Sequence, residues 1–217
     1  DHHTSNSLFG SVNLVDEHAS STSEMIYHLL KAGSFEITKE VAICLFAGIM
    51  ADTGSFRYSN TTQQTFLAAA DLTHLGASSD LIGRAMFGNN SQGAVRLHAL
   101  ALSALKLHFD GKICELVVDD EMVKASGASV DDSDGLVEKG RDITGVLISF
   151  LIRWDGEIWR VSLRSREARY DVSKVAQIFG GGGHKSAAAF RWRKSLEELK
   201  PRLLVELEEA CRQAESC

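Results

Sequence analysis

The stretch Gly180-Gly181-Gly182-Gly183-His184-Lys185-Ser186-Ala187-Ala188-Ala189 constrains this chain more than any other. Each glycine gives up more backbone freedom on folding than any other residue and returns no side-chain contact, so four in a row argue for a place where bare backbone is required. Before them, Asp171 to Phe179 has helical spacing, with Val172, Val175, Ala176 and Phe179 on one face, and after them Ala187 to Trp192 reads as a strand. The glycines therefore fall at a turn. Free N–H groups and positive φ angles there would make an anion nest, with His184 adding a side-chain donor. A phosphate is the expected guest, and a flexible surface loop is the alternative.

The chain opens on Asp1-His2-His3, read either as a solvated polar terminus or as a metal or phosphate site; Val12 to Val15 looks like buried strand or core-loop material. Ser21 and Glu24 have the spacing of a capping box, starting a helix that stops at Gly33. A second helix from about Thr38 is apolar through Val41 to Met50 and is expected to be buried on all sides. It delivers Asp52 into Ala51-Asp52-Thr53-Gly54-Ser55-Phe56-Arg57-Tyr58. A carboxylate at the end of a buried helix is costly unless paired or bound to a cation, so Asp52 is either a metal ligand or a turn residue capping Gly54 or Ser55. Further helices are expected over Thr61–Leu75, Ser79–Phe87 and, beyond a hinge at Gly88–Ser91, Gln92–Phe109.

The composition changes at Gly111. Lys112–Val118, Val146–Ile152 and Glu157–Arg164 read as strands, the last two joined by Trp154-Asp155-Gly156 as a tight hairpin. Helical pieces fall around Asp120–Ala125 and Asp134–Arg141, and a last helix runs from Leu196 to Ala214 with its glutamates on the solvated face. Asp131-Asp132-Ser133-Asp134 lacks the spacing of a calcium loop and reads as a solvated loop.

With 217 residues, 44% of them hydrophobic, the chain can bury one or two cores. A net charge of -6 argues against a nucleic-acid packaging protein or a binder of anionic membranes. No apolar run is long enough for a membrane span. Cys44, Cys114, Cys211 and Cys217 are scattered without a CxxC pair, which indicates neither zinc nor a disulfide framework and suits a reducing cytoplasm.

Taken together, Asp1-His2-His3, Ala51 to Tyr58, Ser162-Leu163-Arg164-Ser165 and Gly180 to His184 resemble the DHH phosphoesterase superfamily, within it the DHH/DHHA1 group that includes the NrnA-type nanoRNases. The resemblance is order-preserving and covers nearly the whole chain. It implies an α/β fold: residues 1–90 as the C-terminal part of a DHH catalytic domain with a mostly parallel sheet and helices, 91–109 as a linker helix, and 110–217 as a DHHA1 substrate-binding domain on a mixed sheet. It further implies a two-Mn²⁺ site, Mg²⁺ or Co²⁺ being possible substitutes, with His2 and Asp52 as metal ligands and His3 and Asp52 as catalytic residues. Substrate would be held by His3, Arg164, Gly181, Gly182, Gly183 and His184. Carboxylate and imidazole suit Mn²⁺, and paired ions can activate water and neutralise charge at phosphorus.

Two departures accompany the resemblance. Ala187-Ala188-Ala189 replaces the usual Ala-Ala-Gly, adding a methyl group where bare backbone is typical. The Asp-x-Asp and further aspartate motifs that should precede the DHH motif have no counterpart. The expectation is that this chain is a segment of a longer protein, inactive alone for lack of metal ligands, whose partner is the upstream half of the DHH domain and whose second domain folds by itself. The implied activity is hydrolysis of short oligonucleotides and of 3′-phosphoadenosine 5′-phosphate, with no membrane partner and with homodimerisation open. A RecJ-like exonuclease, a cyclic-dinucleotide phosphodiesterase, or a nucleotide-binding module without turnover are the alternatives. The acidic balance disfavours a long single-strand groove, which needs a basic track with stacking aromatics.

Overall fold

The computed structural model describes residues 1–3 and 6–216. Thr4 and Ser5 of the polar opening and Cys217 of the cysteine set lie outside the described residues. The chain divides into two units, residues 1–89 and 90–217.

The described residues of 1–89 carry four helices: α1 (Thr22–Ala32), α2 (Lys39–Asp52), α3 (Gln63–His74) and α4 (Ser79–Phe87). Each starts on a hydroxyl cap, Ser21, Thr38, Thr62 and Ser78, whose oxygen accepts an otherwise orphaned backbone N–H. Their apolar faces meet around Leu45, Phe46, Ile49, Ala68 and Leu72. The mostly parallel sheet implied for this unit has no strand among its described residues.

Three expectations need correction here. The capping box of α1 is only half made: Ser21 accepts the Glu24 N–H at 3.0 Å, but the Glu24 carboxylate reaches past Ser21 to the Ser20 N–H at 3.2 Å and to the Ser20 and Thr65 hydroxyls. That converging set allows Glu24 to be only 3% exposed. Helix α2 is buried on one face, through Ala42, Leu45, Phe46, Ile49 and Met50, while Cys44 and Asp52 are exposed; a four-helix unit this small cannot surround one of its members. Val12 to Val15 forms no strand, and Val12 is 91% exposed.

Residues 90–217 are built on a six-stranded mixed sheet, order β1-β2-β3-β4-β6-β5. Helix α5 (Gln92–Ser103) leads in, followed by β1 (Lys106–His108), β2 (Ile113–Val118), α6 (Asp120–Ser126), a 3-10 turn at Val130–Ser133 and α7 (Leu136–Arg141). Then come β3 (Ile148–Trp154), β4 (Trp159–Ser165), α8 (Val172–Ile178), β5 (Gly182–His184), β6 (Ala187–Trp192) and α9 (Leu196–Glu215). Strands β2 and β3 are parallel and every other pairing is antiparallel. One sheet face packs on α8 and α9 through Ile148, Phe150, Ile152, Val161, Leu163, Ala188 and Phe190. Leu199, Leu203 and Leu207, four residues apart on α9, are fully buried there, each stabilising by about 1.5–3 kcal/mol. The other face is covered over β2 and β3, where Cys114, Leu116, Val118 and Leu151 meet α5 and α7.

The expected helix to Phe109 stops at Ser103, because residues 106–108 pair with β2 as an edge strand. Phe109, Asp110 and Gly111, all at positive φ, make the hairpin turn. The β3–β4 hairpin exists, but its loop is four residues long: only Gly156 has positive φ, and Asp155 stays ordinary while its carboxylate accepts the Glu157 and Ile158 N–H groups. The acidic stretch read as a loop is a 3-10 turn, in which Asp132 caps Ser129, and Asp134 beside it pairs with Arg153 at 2.7 Å.

Candidate functional site

In residues 1–89 the first three residues fold back on the chain. His2 Nδ1 lies 3.3 Å from the Ala19 carbonyl oxygen, and His2 Nε2 faces Asp52 Oδ2 at 3.6 Å. A ring that donates from Nδ1 to a carbonyl presents the Nε2 lone pair outward, the orientation of a metal-ligating histidine. An imidazole lone pair and a carboxylate repel at this separation unless a proton or cation joins them. The donor set therefore fits a divalent cation on chemical grounds. The His2 side chain is buried and that of Asp52 is 46% exposed, which overturns the burial argument for Asp52 and leaves its juxtaposition with His2 as the reason to single it out. Thr53 fills the buried end of α2, its hydroxyl donating to the Ile49 carbonyl at 2.6 Å. The His3 ring meets the His2 ring edge-on, centroids 4.7 Å apart, with its Nδ1 against Asp1 Oδ1 at 2.5 Å, and Asn6 donates to Asp1 Oδ2 at 2.7 Å. Asn60, which the sequence did not single out, donates to both the Ser20 and Asp52 carbonyls and ties the end of α2 to the start of α1.

In residues 90–217 the glycine run is not the expected nest of free donors. The Gly180 and Gly181 N–H groups bond back to Gln177 and Ala176 at 3.0 and 2.9 Å, and Gly180 has φ +78°. That is a helix C-cap, which consumes the donors and places the negative end of the helix dipole beside them. Gly182 and Gly183 belong to strand β5. Packing does require two of the glycines: a Cβ on Gly181 would overlap the Ala189 carbonyl and lie 2.5 Å from Phe190 Cβ, and one on Gly183 would lie 2.5 Å from the Ala187 carbonyl.

What the glycines accomplish is to bring a short edge strand against β6. Arg164 on β4 pairs with Ala187 on β6, which pairs with His184 on β5. Residues in one such row share a sheet face at about 4.8 Å per strand, so Arg164 and His184 stand about 10 Å apart on one face with only a methyl group between them. The next row on that face is Ser162, Ala189 and Gly182. Beyond it Arg160 pairs with Arg191. The face opposite the core is thus a floor of small residues edged by cations. Arg164 Nε donates to Glu138 Oε1 on α7 at 2.7 Å and an Nη1 hydrogen goes to the Leu163 carbonyl at 3.0 Å. Arg160 pairs with Asp155, whose carboxyl is held down to about 2 by the Ile158 and Glu157 N–H groups and then by Arg160. A cavity of about 360 Å³ elsewhere in this unit is lined by Asp119, Asp120, Glu121, Trp154 and Trp159, walls that would repel a phosphate.

Residues 111–213 match the family model described as the DHHA1 domain. Along more of its length the chain is similar to a bifunctional oligoribonuclease and PAP phosphatase NrnA of Thermus thermophilus, 35% identical over 189 residues, or 87% of this chain and 56% of that protein. A protein of the same name in Bacillus subtilis is 28% identical over 99% of this chain and 68% of its own length. A crystal structure of an exopolyphosphatase-related protein from Bacteroides fragilis superposes with a TM-score of 0.90 at 28% identity, covering 99% of this chain and 64% of that one. The chain spans a little over half the length of the Thermus relative.

Within the residues that match the DHHA1 model, the floor of Ala187, Ala189, Ser162 and Gly182 accommodates the extra methyl of Ala189, because its register partner Gly182 leaves the neighbouring position open. Sequence reasoning missed Glu138, Arg160 and Arg191. Alternation along β4 and β6 places both arginines on the face opposite the apolar residues, a signal that was present; nothing local marks Glu138. Among the described residues no helix is long and apolar enough to cross a membrane.

Proposed function

We propose that the whole protein is a metal-dependent phosphoesterase acting on short oligonucleotides and on nucleotides carrying a 3′-phosphate, and that its DHHA1 domain holds a non-reacting substrate phosphate on the Arg164–His184 row. The observation that carries this reading is that Arg164 and His184, far apart in sequence, share one sheet face with only Ala187 between them. A guanidinium and an imidazole above small side chains can grip phosphate oxygens through charge-assisted hydrogen bonds, while the low floor admits the sugar-phosphate chain. Gly182 contributes bare backbone to that floor, whereas Gly181 and Gly183 serve the packing of β5.

The names of the Thermus and Bacillus relatives support the substrate class. His2 and Asp52 are the residues that would hold Mn²⁺, with His3 next to them to contact the scissile phosphate. A divalent ion there would polarise the phosphoryl group and lower the pKa of bound water. The test is hydrolysis of a dinucleotide and of 3′-phosphoadenosine 5′-phosphate by the full-length protein with and without Mn²⁺, beside a binding titration with the same compounds. Binding without turnover at any metal concentration would reduce the protein to a nucleotide-binding module and overturn the phosphoesterase reading.

A further inference from the structure

Resting on the reading of Arg164 as a phosphate ligand, we propose that Glu138 is the positioning residue of that subsite and that the close seating of α7 on the sheet at Gly140 sets its reach. Arg164 has five guanidinium hydrogens in a fixed fork. Its Nε is taken by Glu138 at 2.7 Å and one Nη1 hydrogen by the Leu163 carbonyl at 3.0 Å, which leaves the Nη2 end for an anion. Both side chains of the pair are about three-quarters buried, at 27% and 24% exposure. A long arginine on an otherwise small-residue floor would wander among rotamers and lose that freedom each time substrate bound. A tether formed before binding removes part of that cost.

Glu138 reaches Arg164 because α7 lies unusually close to the sheet. A Cβ on Gly140 would overlap the Ser149 hydroxyl and stand 3.0 Å from Cys114 Sγ and 3.1 Å from Leu116 Cδ1. Ser149 is the register partner of Arg164, so the helix is pressed against the very row that carries the arginine. The pair joins residues 26 apart in sequence and costs the site part of its positive charge. A carboxylate kept beside a phosphate ligand is counterproductive as pure electrostatics, and the geometry points to orientation as what it supplies.

The experiment is equilibrium binding of 3′-phosphoadenosine 5′-phosphate to the full-length protein, without turnover, in the parent and in Arg164→Ala, Glu138→Ala, Glu138→Gln and Glu138→Asp. Positioning predicts that Glu138→Ala weakens binding about three- to tenfold, the scale of one immobilised side chain, and that Glu138→Gln, which keeps an oxygen acceptor, recovers most of the loss. The shorter Glu138→Asp, unable to reach, should resemble Ala. Tighter binding in Glu138→Ala would mean that the carboxylate only neutralises Arg164, and unchanged binding that it only braces α7; either overturns the proposal. Arg164→Ala separates the two levels: if it leaves binding unchanged, the phosphate-site reading fails first, whereas weakened binding there with an indifferent Glu138→Ala refutes the positioning role alone. Thermal unfolding of each variant checks that the DHHA1 domain stays folded.

Discussion

Gly182 is paired with Ala189 across β5 and β6, and a methyl group on Gly182 would meet no atom within 4 Å. Its φ is also ordinary, unlike those of Gly180 and Gly183. Gly182→Ala should therefore leave the melting temperature of the protein nearly unchanged while weakening nucleotide binding, because the only thing the methyl obstructs is the floor. Gly181→Ala should do the reverse of the first half, destabilising by about 1–3 kcal/mol as the added carbon is driven into the β6 backbone. Denaturant titrations and binding isotherms on both variants make the comparison. If Gly182→Ala binds as the parent does, bare backbone at this position has no part in recognition.

On the proposed function, Arg164→Ala and His184→Ala remove contacts to a substrate phosphate that does not react. Each should raise the Michaelis constant by one to two decades, the ~1.5–3 kcal/mol of a charge-assisted hydrogen bond, and should change the turnover number much less. Steady-state kinetics of the full-length protein on a dinucleotide decide this. Unchanged Michaelis constants in both would assign the row to structure.

Asp52 stands at the exposed end of α2, 3.6 Å from His2. Asp52→Asn keeps the volume and removes the charge that would hold a cation, so turnover and Mn²⁺ affinity should both collapse. Stability should move by no more than about 0.5 kcal/mol, the usual range for an exposed position. Isothermal titration of the full-length protein with Mn²⁺ is the measurement, and an Asp52→Asn variant that still binds metal and turns over makes Asp52 a helix-end residue only.

Periodicity and capping residues made most of the elements legible. Helix α4 falls on the expected Ser79–Phe87 because a serine cap and a glycine stop bracket an amphipathic run, and α8 follows its apolar spacing into the core. Strand β5 was hidden because glycine has no side chain to alternate. The end of α5 was hidden because Leu105 and Leu107 continue an apolar rhythm that tertiary pairing with β2 converts to a strand. At the site, the residue types were readable while their partners were not: Asp52 earned attention for a burial it lacks, and Glu138 meets Arg164 only through the packing of α7 on the sheet.

Glu115, 4% exposed on β2, anchors α9 to the sheet through Lys200. Burial by itself would raise its pKa, but Lys200 at 2.8 Å and then His108 at 2.9 Å more than offset this, so the carboxyl sits below its ordinary value. A carboxylate whose folded pKa lies below its unfolded one contributes stability that is fully present above the unfolded value, about 4.3, and is lost as pH falls through the folded value. Urea midpoints of the protein should accordingly hold steady from pH 7 to pH 5 and drop below pH 4. Glu115→Gln should flatten part of that acid limb and lower the plateau, since Lys200 loses its counter-charge. Glu115→Ala should cost about 3 kcal/mol, the lower end for a broken buried pair, because Lys200 is 30% exposed and can turn to water. An acid limb that persists unaltered in Glu115→Gln would place the pH sensitivity of this fold in other carboxylates.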